Sequence, residues 1–155
     1  MNKPLTIRPM TQDDVPHCAR WMAETPLWQR YGVTVERAAA RLAHGLADGA
    51  TIYIAECDGE RVGFIWIVAR GAFDRSGYIP LIAVRPGERG RGIGRALMAF
   101  AEGELFALSD DVFLTVSDFN VEAQQFYRRL GYQPVGALPG YLAPGISELI
   151  YRKRG

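Results

Sequence analysis

Arg85-Pro86-Gly87-Glu88-Arg89-Gly90-Arg91-Gly92-Ile93-Gly94-Arg95 is the densest stretch of the chain, with four arginines and four glycines against one acid, Glu88. Before it, Gly77 to Val84 (GYIPLIAV) is rich in β-branched and aromatic residues, as a strand is. After it, Ile93, Leu97, Phe100, Ala101, Leu105 and Leu108 recur at helical spacing. A turn that opens a helix presents free N–H groups and the positive end of the helix dipole, which favours an anion. Glycine lets the backbone approach that anion closely and adopt conformations other residues resist. The stretch therefore suits a phosphate or pyrophosphate; a plain glycine-rich turn with solvated arginines is the other reading. Two nucleotide motifs fail against it. A Walker loop needs Lys and then Ser or Thr after its second glycine, yet Ile93 and Gly94 follow Gly92. The dinucleotide fingerprint GxGxxG meets Arg95 where its third glycine belongs. Its ribose-binding acid should end the next strand, but Asp110 and Asp111 precede Val112 to Ser117.

Working outward, Thr6 to Arg8 is a short β-prone start, and Val15, Cys18, Ala19 and Met22 space as a helix. Asp13 and Asp14 suit that helix's N-terminus, with Pro16 in its first turn. Ala23 to Gly32 reads as a loop or irregular turn, and a second helix follows a Thr34 cap and ends at Gly49. Thr51 to Cys57 and Arg61 to Val68 form a hairpin around Asp58-Gly59. Pro80 cannot donate a ladder hydrogen bond, so a bulge or an unpaired stretch is expected in the third strand. Beyond the glycine stretch and its helix, Val112 to Ser117 is a buried strand, and Asn120 caps a helix carrying Ala123, Phe126, Tyr127 and Leu130 that Gly131 closes. Tyr132 to Leu138 and Ser147 to Arg152 finish the chain as strands joined by a Pro/Gly-rich loop around Tyr141. The order β-α-α-β-β-β-α-β-α-β-β describes an α/β chain whose mixed sheet is covered by helices.

The chain's 155 residues suit one domain, with a real core at 48% hydrophobic and 23% charged. A net charge of +1 argues against a broad electrostatic grip on nucleic acid. No apolar run is long enough to span a bilayer, and MNKPLTIRPM lacks the apolar core of a signal peptide. Cys18 and Cys57 lie far apart, no CxxC occurs, and there are two histidines, so neither a disulfide scaffold nor a metal site is expected. A cytoplasmic single-domain protein covering residues 1–155, with no membrane partner, is the expectation that remains.

Arg89-Gly90-Arg91-Gly92-Ile93-Gly94 fits the pattern of Gln or Arg, two residues, Gly, one residue, then Gly or Ala, and it follows a strand ending Leu81-Ile82-Ala83-Val84. After the next strand stand Asn120, Ala123, Phe126-Tyr127 and Leu130-Gly131-Tyr132. With both halves in this order, the chain strongly resembles the GNAT superfamily of acetyl-CoA-dependent N-acetyltransferases over nearly its whole length. The resemblance implies the GNAT-like acyl-CoA N-acyltransferase fold, with the central strands Gly77 to Val84 and Val112 to Ser117 splayed apart to admit pantetheine. It places the main chain of Ile82, Ala83 and Val84 along the acetyl and pantetheine groups, and the amides from Arg89, Gly90, Arg91, Gly92, Ile93, Gly94 and Arg95 on the pyrophosphate. An N–H near Ile82 would then polarise the thioester carbonyl.

Asn120 would touch the pantetheine arm, although helix capping alone also accounts for it. Tyr127 stands where many members place the tyrosine that protonates the leaving thiolate. Its other reading is packing on the helix's apolar face. Many relatives carry a carboxylate base on the strand before the glycine loop, but Tyr78-Ile79-Pro80-Leu81 holds no acid. The base is therefore unassigned, with Glu24, Asp74 and a water held by Tyr78 as candidates. The family's acceptor site draws on the loop between the first helices and on the last hairpin. Trp28, Tyr31, Tyr78 and Tyr141 are thus the expected substrate-lining residues, suited to an apolar or cationic amine; packing into the core is the alternative. The implied function is acetyl transfer from acetyl-CoA to a primary amine of a small molecule, peptide or protein, by direct attack in a ternary complex. A non-catalytic acyl-CoA-binding module or sensor is the competing function. Homodimers are common in the family, and no residue here argues for one.

Overall fold

We describe residues 3–155 from a computed structural model of the chain. Asp58 and Gly59 both take positive φ, 52° and 74°, the geometry that matches a tight turn to the twist of its flanking strands. That turn joins β2 (Thr51–Cys57) to β3 (Glu60–Ala72). β2 also pairs antiparallel with β1 (Leu5–Pro9). Between β1 and β2 lie a 3-10 turn (Gln12–Asp14) and the helices α1 (Val15–Glu24), α2 (Pro26–Arg30) and α3 (Val35–Ala47). After β3 come β4 (Ser76–Val84), α4 (Ile93–Phe106), β5 (Asp111–Ser117), α5 (Val121–Arg129), β6 (Gln133–Pro139) and β7 (Ser147–Arg154). The strands form a seven-stranded sheet in the order β1-β2-β3-β4-β5-β7-β6. The β4–β5 pairing is parallel and matches only Gly77 with Val112 and Tyr78 with Phe113. The central sheet is thus mixed and splayed, as expected for a GNAT-like fold.

Two expectations are corrected. Ala23 to Gly32 is not a loop: α1 runs to Glu24, and Pro26, whose fixed φ suits a first helical turn, opens the short helix α2. Leu108 is not on the buried face of α4, because that helix ends at Phe106 and Leu108 is 69% exposed. Met98, fully buried, belongs to that face instead.

Two units can be described separately, one formed by residues up to Ile67 with Leu81–Ala101, the other by Val68–Pro80 with Glu102–Gly155. In the first, the β2–β3 hairpin is buried on both faces. Ile52, Ile54 and Phe64 join Cys18, Met22 and Leu42 of α1 and α3 in one cluster. On the opposite face Tyr53 meets Phe100 of α4 edge-on, with centroids 4.7 Å apart. A Cβ on Gly63 would lie 3.1 Å from Leu97 and 3.2 Å from Ile93, so α4 seats directly over this glycine. Two-sided burial explains why these strands read as nearly continuous apolar runs.

The second unit is built on β5 between β4 and β7, with residues alternating in direction along the strand. Val112, Leu114 and Val116 are buried on one face, which they share with their cross-strand partners Lys153, Tyr151 and Leu149. The second half of α4 covers this face: Glu102 receives hydrogen bonds from Lys153 Nζ at 2.8 Å and Tyr132 Oη at 3.0 Å. Phe113, Thr115 and Ser117 point to the other face, together with their partners Arg152, Ile150 and Glu148.

Candidate active site

In the first unit the end of β4 leads into the glycine stretch. The Arg85 N–H donates to the Val62 carbonyl at 2.8 Å, and the Ala83 carbonyl lies against Gly63. Residues 83 and 85 therefore direct their backbone groups towards β3. By the alternation of a strand, Ile82 and Val84 direct theirs the opposite way. The β5 ladder, at Gly77 and Tyr78, does not reach them.

The loop that follows is held by an acid among its arginines. Glu88 accepts from Arg85 at 2.8 Å and from Arg91 at 2.6 Å, and Arg85 also reaches Glu60 at 3.3 Å. The two guanidiniums, Arg85 first, keep the Glu88 carboxyl below its ordinary range. Arg85 and Arg91 thus brace the loop through Glu88. Arg89 and Arg95 carry the exposed positive charge, and no ion pair involves either among the described residues. Gly87, Gly90 and Gly92 take φ of 89°, 77° and 80°, and nothing lies within 4 Å of where their Cβ atoms would be. Positive φ requires glycine here, and the bare backbone is open to a ligand. The Ala96 N–H closes the first helical turn on the Gly92 carbonyl at 3.0 Å. The amides of Ile93, Gly94 and Arg95 consequently have no acceptor within α4. Arg89 to Gly92 are exposed, Ile93 is buried beneath them, and Gly94 is half-buried. Such a cradle fits a pyrophosphate: backbone donors, a helix N-terminus and two free cations converge on one exposed loop.

In the second unit Asn120 accepts the Ala123 N–H at 3.2 Å, capping α5 as its sequence position requires. Tyr127, further along α5, is 9% exposed; its ring stands edge-on to Phe126 at 5.2 Å and to Tyr132 at 5.9 Å. Burial pushes the Tyr127 phenol above its ordinary pKa, which keeps the proton on the oxygen at neutral pH. Tyr78 is half-buried on the face shared with Phe113, and Phe113 meets Phe73 edge-on at 5.5 Å. Tyr141 is 67% exposed in the loop between β6 and β7. In the first unit Trp28 packs on the apolar cluster and Tyr31, half-buried, ends α2.

Among the candidate bases, Glu24 is the exposed last residue of α1, not a loop residue. Asp74 is in the exposed β3–β4 turn beside Arg70, 3.7 Å away. Sequence reading passed over Glu148. It is 4% exposed, on β7 opposite Ser117, whose hydroxyl is 3.4 Å from its Oε1. The available signal was one acid inside an otherwise apolar run, Leu149-Ile150-Tyr151, directly after a loop. Among the described residues, no group of three or more His, Cys, Asp or Glu side chains could hold a metal.

Comparison with known proteins gives a consistent result. The model of the acetyltransferase (GNAT) family matches residues 16–132. An uncharacterized N-acetyltransferase of Methanocaldococcus jannaschii is 36% identical over 105 residues, covering 66% of this chain and 65% of the relative. An uncharacterized protein of Mycobacterium leprae is 32% identical over 157 residues, covering 98% of this chain and 41% of the relative. The chain thus spans less than two thirds of the length of either curated relative. The crystal structure of an acetyltransferase from Thermus thermophilus superposes with a TM-score of 0.78 over 97% of both chains, at 23% identity, a likeness of fold.

Proposed function

Since the chain belongs to the acetyltransferase (GNAT) family, we propose that it transfers the acetyl group of acetyl-CoA to a primary amine, by direct attack with both substrates bound. The loop from Gly87 to Gly94 carries this reading: it fits a pyrophosphate and continues a strand whose Ile82 and Val84 backbone groups are turned away from β3. Acetyl-CoA, once bound, supplies an activated thioester. The amides of residues 89–95 hold the diphosphate, with Arg89 and Arg95 adding charge. Ile82 and Val84 offer backbone groups to the pantetheine arm, much as a sheet edge accepts a peptide. The Ile82 N–H stabilises the negative oxygen that develops on attack, and Asn120 adds a polar contact to the arm. Tyr127 keeps its proton for the departing sulfur, a task suited to a phenol that burial holds protonated. Neither cysteine is needed as a nucleophile, and burial pushes the Cys18 thiol up to about 12.

The test is free-thiol release from acetyl-CoA in the presence of a panel of primary amines. Amine-dependent release, with the acetylated amine seen by mass spectrometry, is the expected result. Saturable acetyl-CoA binding without release for any amine would instead favour the non-catalytic binding module.

A further inference from the structure

An acid in a loop that binds an anion repels its ligand, so Glu88 has to offset that repulsion in some other way. Its side chain is 17% exposed, although Gly87, Arg89 and Gly90 around it are exposed. Its two oxygens are used separately: Arg85 donates to Oε1 at 2.8 Å and Arg91 to Oε2 at 2.6 Å. Those arginines stand three residues before and three after the acid, towards the two ends of the loop. Arg85 is itself anchored near the start of β3, by its N–H on the Val62 carbonyl and by its guanidinium on Glu60 at 3.3 Å. Glu60, Arg85, Glu88 and Arg91 thus form a chain of alternating charge from the β2–β3 turn to the threshold of α4.

Little else ties the middle of the loop. Arg89, Gly90 and Arg91 make no main-chain hydrogen bond among the described residues. Nothing lies within 4 Å of where the Cβ atoms of Gly87, Gly90 and Gly92 would be. Glycine has a wide choice of backbone conformation, so an untied loop of this kind would have to be ordered by its ligand, which costs affinity.

We propose that Glu88 is a positioning residue for the diphosphate: its carboxylate holds Arg85 and Arg91 together and so fixes the loop with its amides open to the ligand. This role, which rests on the acetyl-CoA reading above, divides the four arginines. Arg85 and Arg91 are neutralised by Glu88 and shape the loop. Arg89 and Arg95, in no ion pair among the described residues, supply the charge. Removing the acid then acts in two opposite directions. Through space alone, loss of a negative charge tightens the grip on acetyl-CoA, a polyanion. Through the loop, it releases both guanidiniums and loosens that grip, and this effect is the larger.

The experiment is a calorimetric titration with acetyl-CoA of wild type, Glu88→Ala, Glu88→Gln and Glu88→Asp, well below the melting transition. The Kd should rise about tenfold or more for Glu88→Ala, and about threefold or more for Glu88→Gln, which keeps one acceptor oxygen. Glu88→Asp, which keeps the charge on a shorter stem, should recover part of the loss. In thiol release the effect should appear as a higher KM for acetyl-CoA rather than a lower kcat. Arg91→Gln should weaken binding in the wild-type background and add nothing to Glu88→Ala, because both break the same bridge. A near-native circular dichroism melt shows that the variants fold; should Glu88→Ala fail to, Glu88→Gln, which keeps the size of the side chain, takes its place. Unchanged or tighter binding on loss of the acid overturns the role of Glu88 while leaving acetyl-CoA binding standing. A further loss from Arg91→Gln on top of Glu88→Ala overturns it too, by putting Arg91 on the ligand. No binding of acetyl-CoA by the wild-type protein overturns the cofactor reading, and this role with it.

Discussion

Gly92 has φ of 80°, and open space surrounds the position of its missing Cβ. Gly92→Val therefore meets no clash in the free protein; its cost is the left-handed backbone, roughly 1–2 kcal/mol. If the pyrophosphate needs that conformation, acetyl-CoA affinity should drop by about tenfold or more in a calorimetric titration. Unchanged affinity would remove the loop from the cofactor site. Tyr127→Phe should leave acetyl-CoA affinity intact and slow thiol release by about 100-fold, measured at saturating acetyl-CoA. A full-rate variant would make Tyr127 a packing residue. The glycines and the Asn120 cap were legible in the sequence because each has a local conformational requirement. The bracing of Arg85 and Arg91 by Glu88 was not, since one acid among four arginines does not say which guanidinium it meets. Glu148 escaped notice because burial of a single acid depends on its cross-strand neighbours, which no local spacing encodes.

The helices and strands followed their periodicity closely: β2 was expected at Thr51 to Cys57 and is found there, and Thr34 and Asn120 cap α3 and α5. The misreadings fall where the chain is short or strained. Ala23 to Gly32 read as a loop, yet Pro26 within it starts a helix, because proline lacks only the N–H that a first turn leaves unused. β3 runs to Ala72, past its expected end at Val68, and turns at Phe73 and Asp74, both non-glycine residues at positive φ (57° and 51°). The Arg75 N–H closes that turn on the Ala72 carbonyl at 3.1 Å. A turn of this geometry favours Asn-Gly, which is why Phe-Asp carried no turn signal. Asp74→Gly should raise the unfolding free energy by up to about 1 kcal/mol, seen as a higher urea midpoint with an unchanged slope. A lower midpoint would mean that the Arg70–Asp74 ion pair outweighs the strain relieved.

For the molecule as a whole, Asp14 governs the acid limb of stability. Burial alone would raise its pKa; the Arg8 guanidinium, the Thr11 amide and the Arg61 guanidinium outweigh that and hold it well below the usual carboxylate range. A folded-state value below the unfolded value of about 3.9 means the stabilisation is complete above that pH and is lost as pH falls through and below it. Urea unfolding should therefore show stability declining from about pH 4 downward. Asp14→Asn should flatten that decline and cost about 1.5–3 kcal/mol at neutral pH, because Arg61 loses its acid and Arg8 keeps only Glu56. An unaltered acid limb in the variant would assign the decline to other groups. Of the strand order β1-β2-β3-β4-β5-β7-β6, the family resemblance implied only that β4 and β5 are central neighbours; spacing supplies elements, whereas the crossover that brings β7 between β5 and β6 is a long-range choice.

The most direct test of acetyl-CoA use by this chain is a calorimetric titration of the folded, ligand-free protein with acetyl-CoA, with ATP and NAD as controls. Saturable one-site binding of acetyl-CoA, much tighter than either control, is the expected result. No saturable binding, or equal binding of all three, would contradict the assignment of the Gly87 to Gly94 loop.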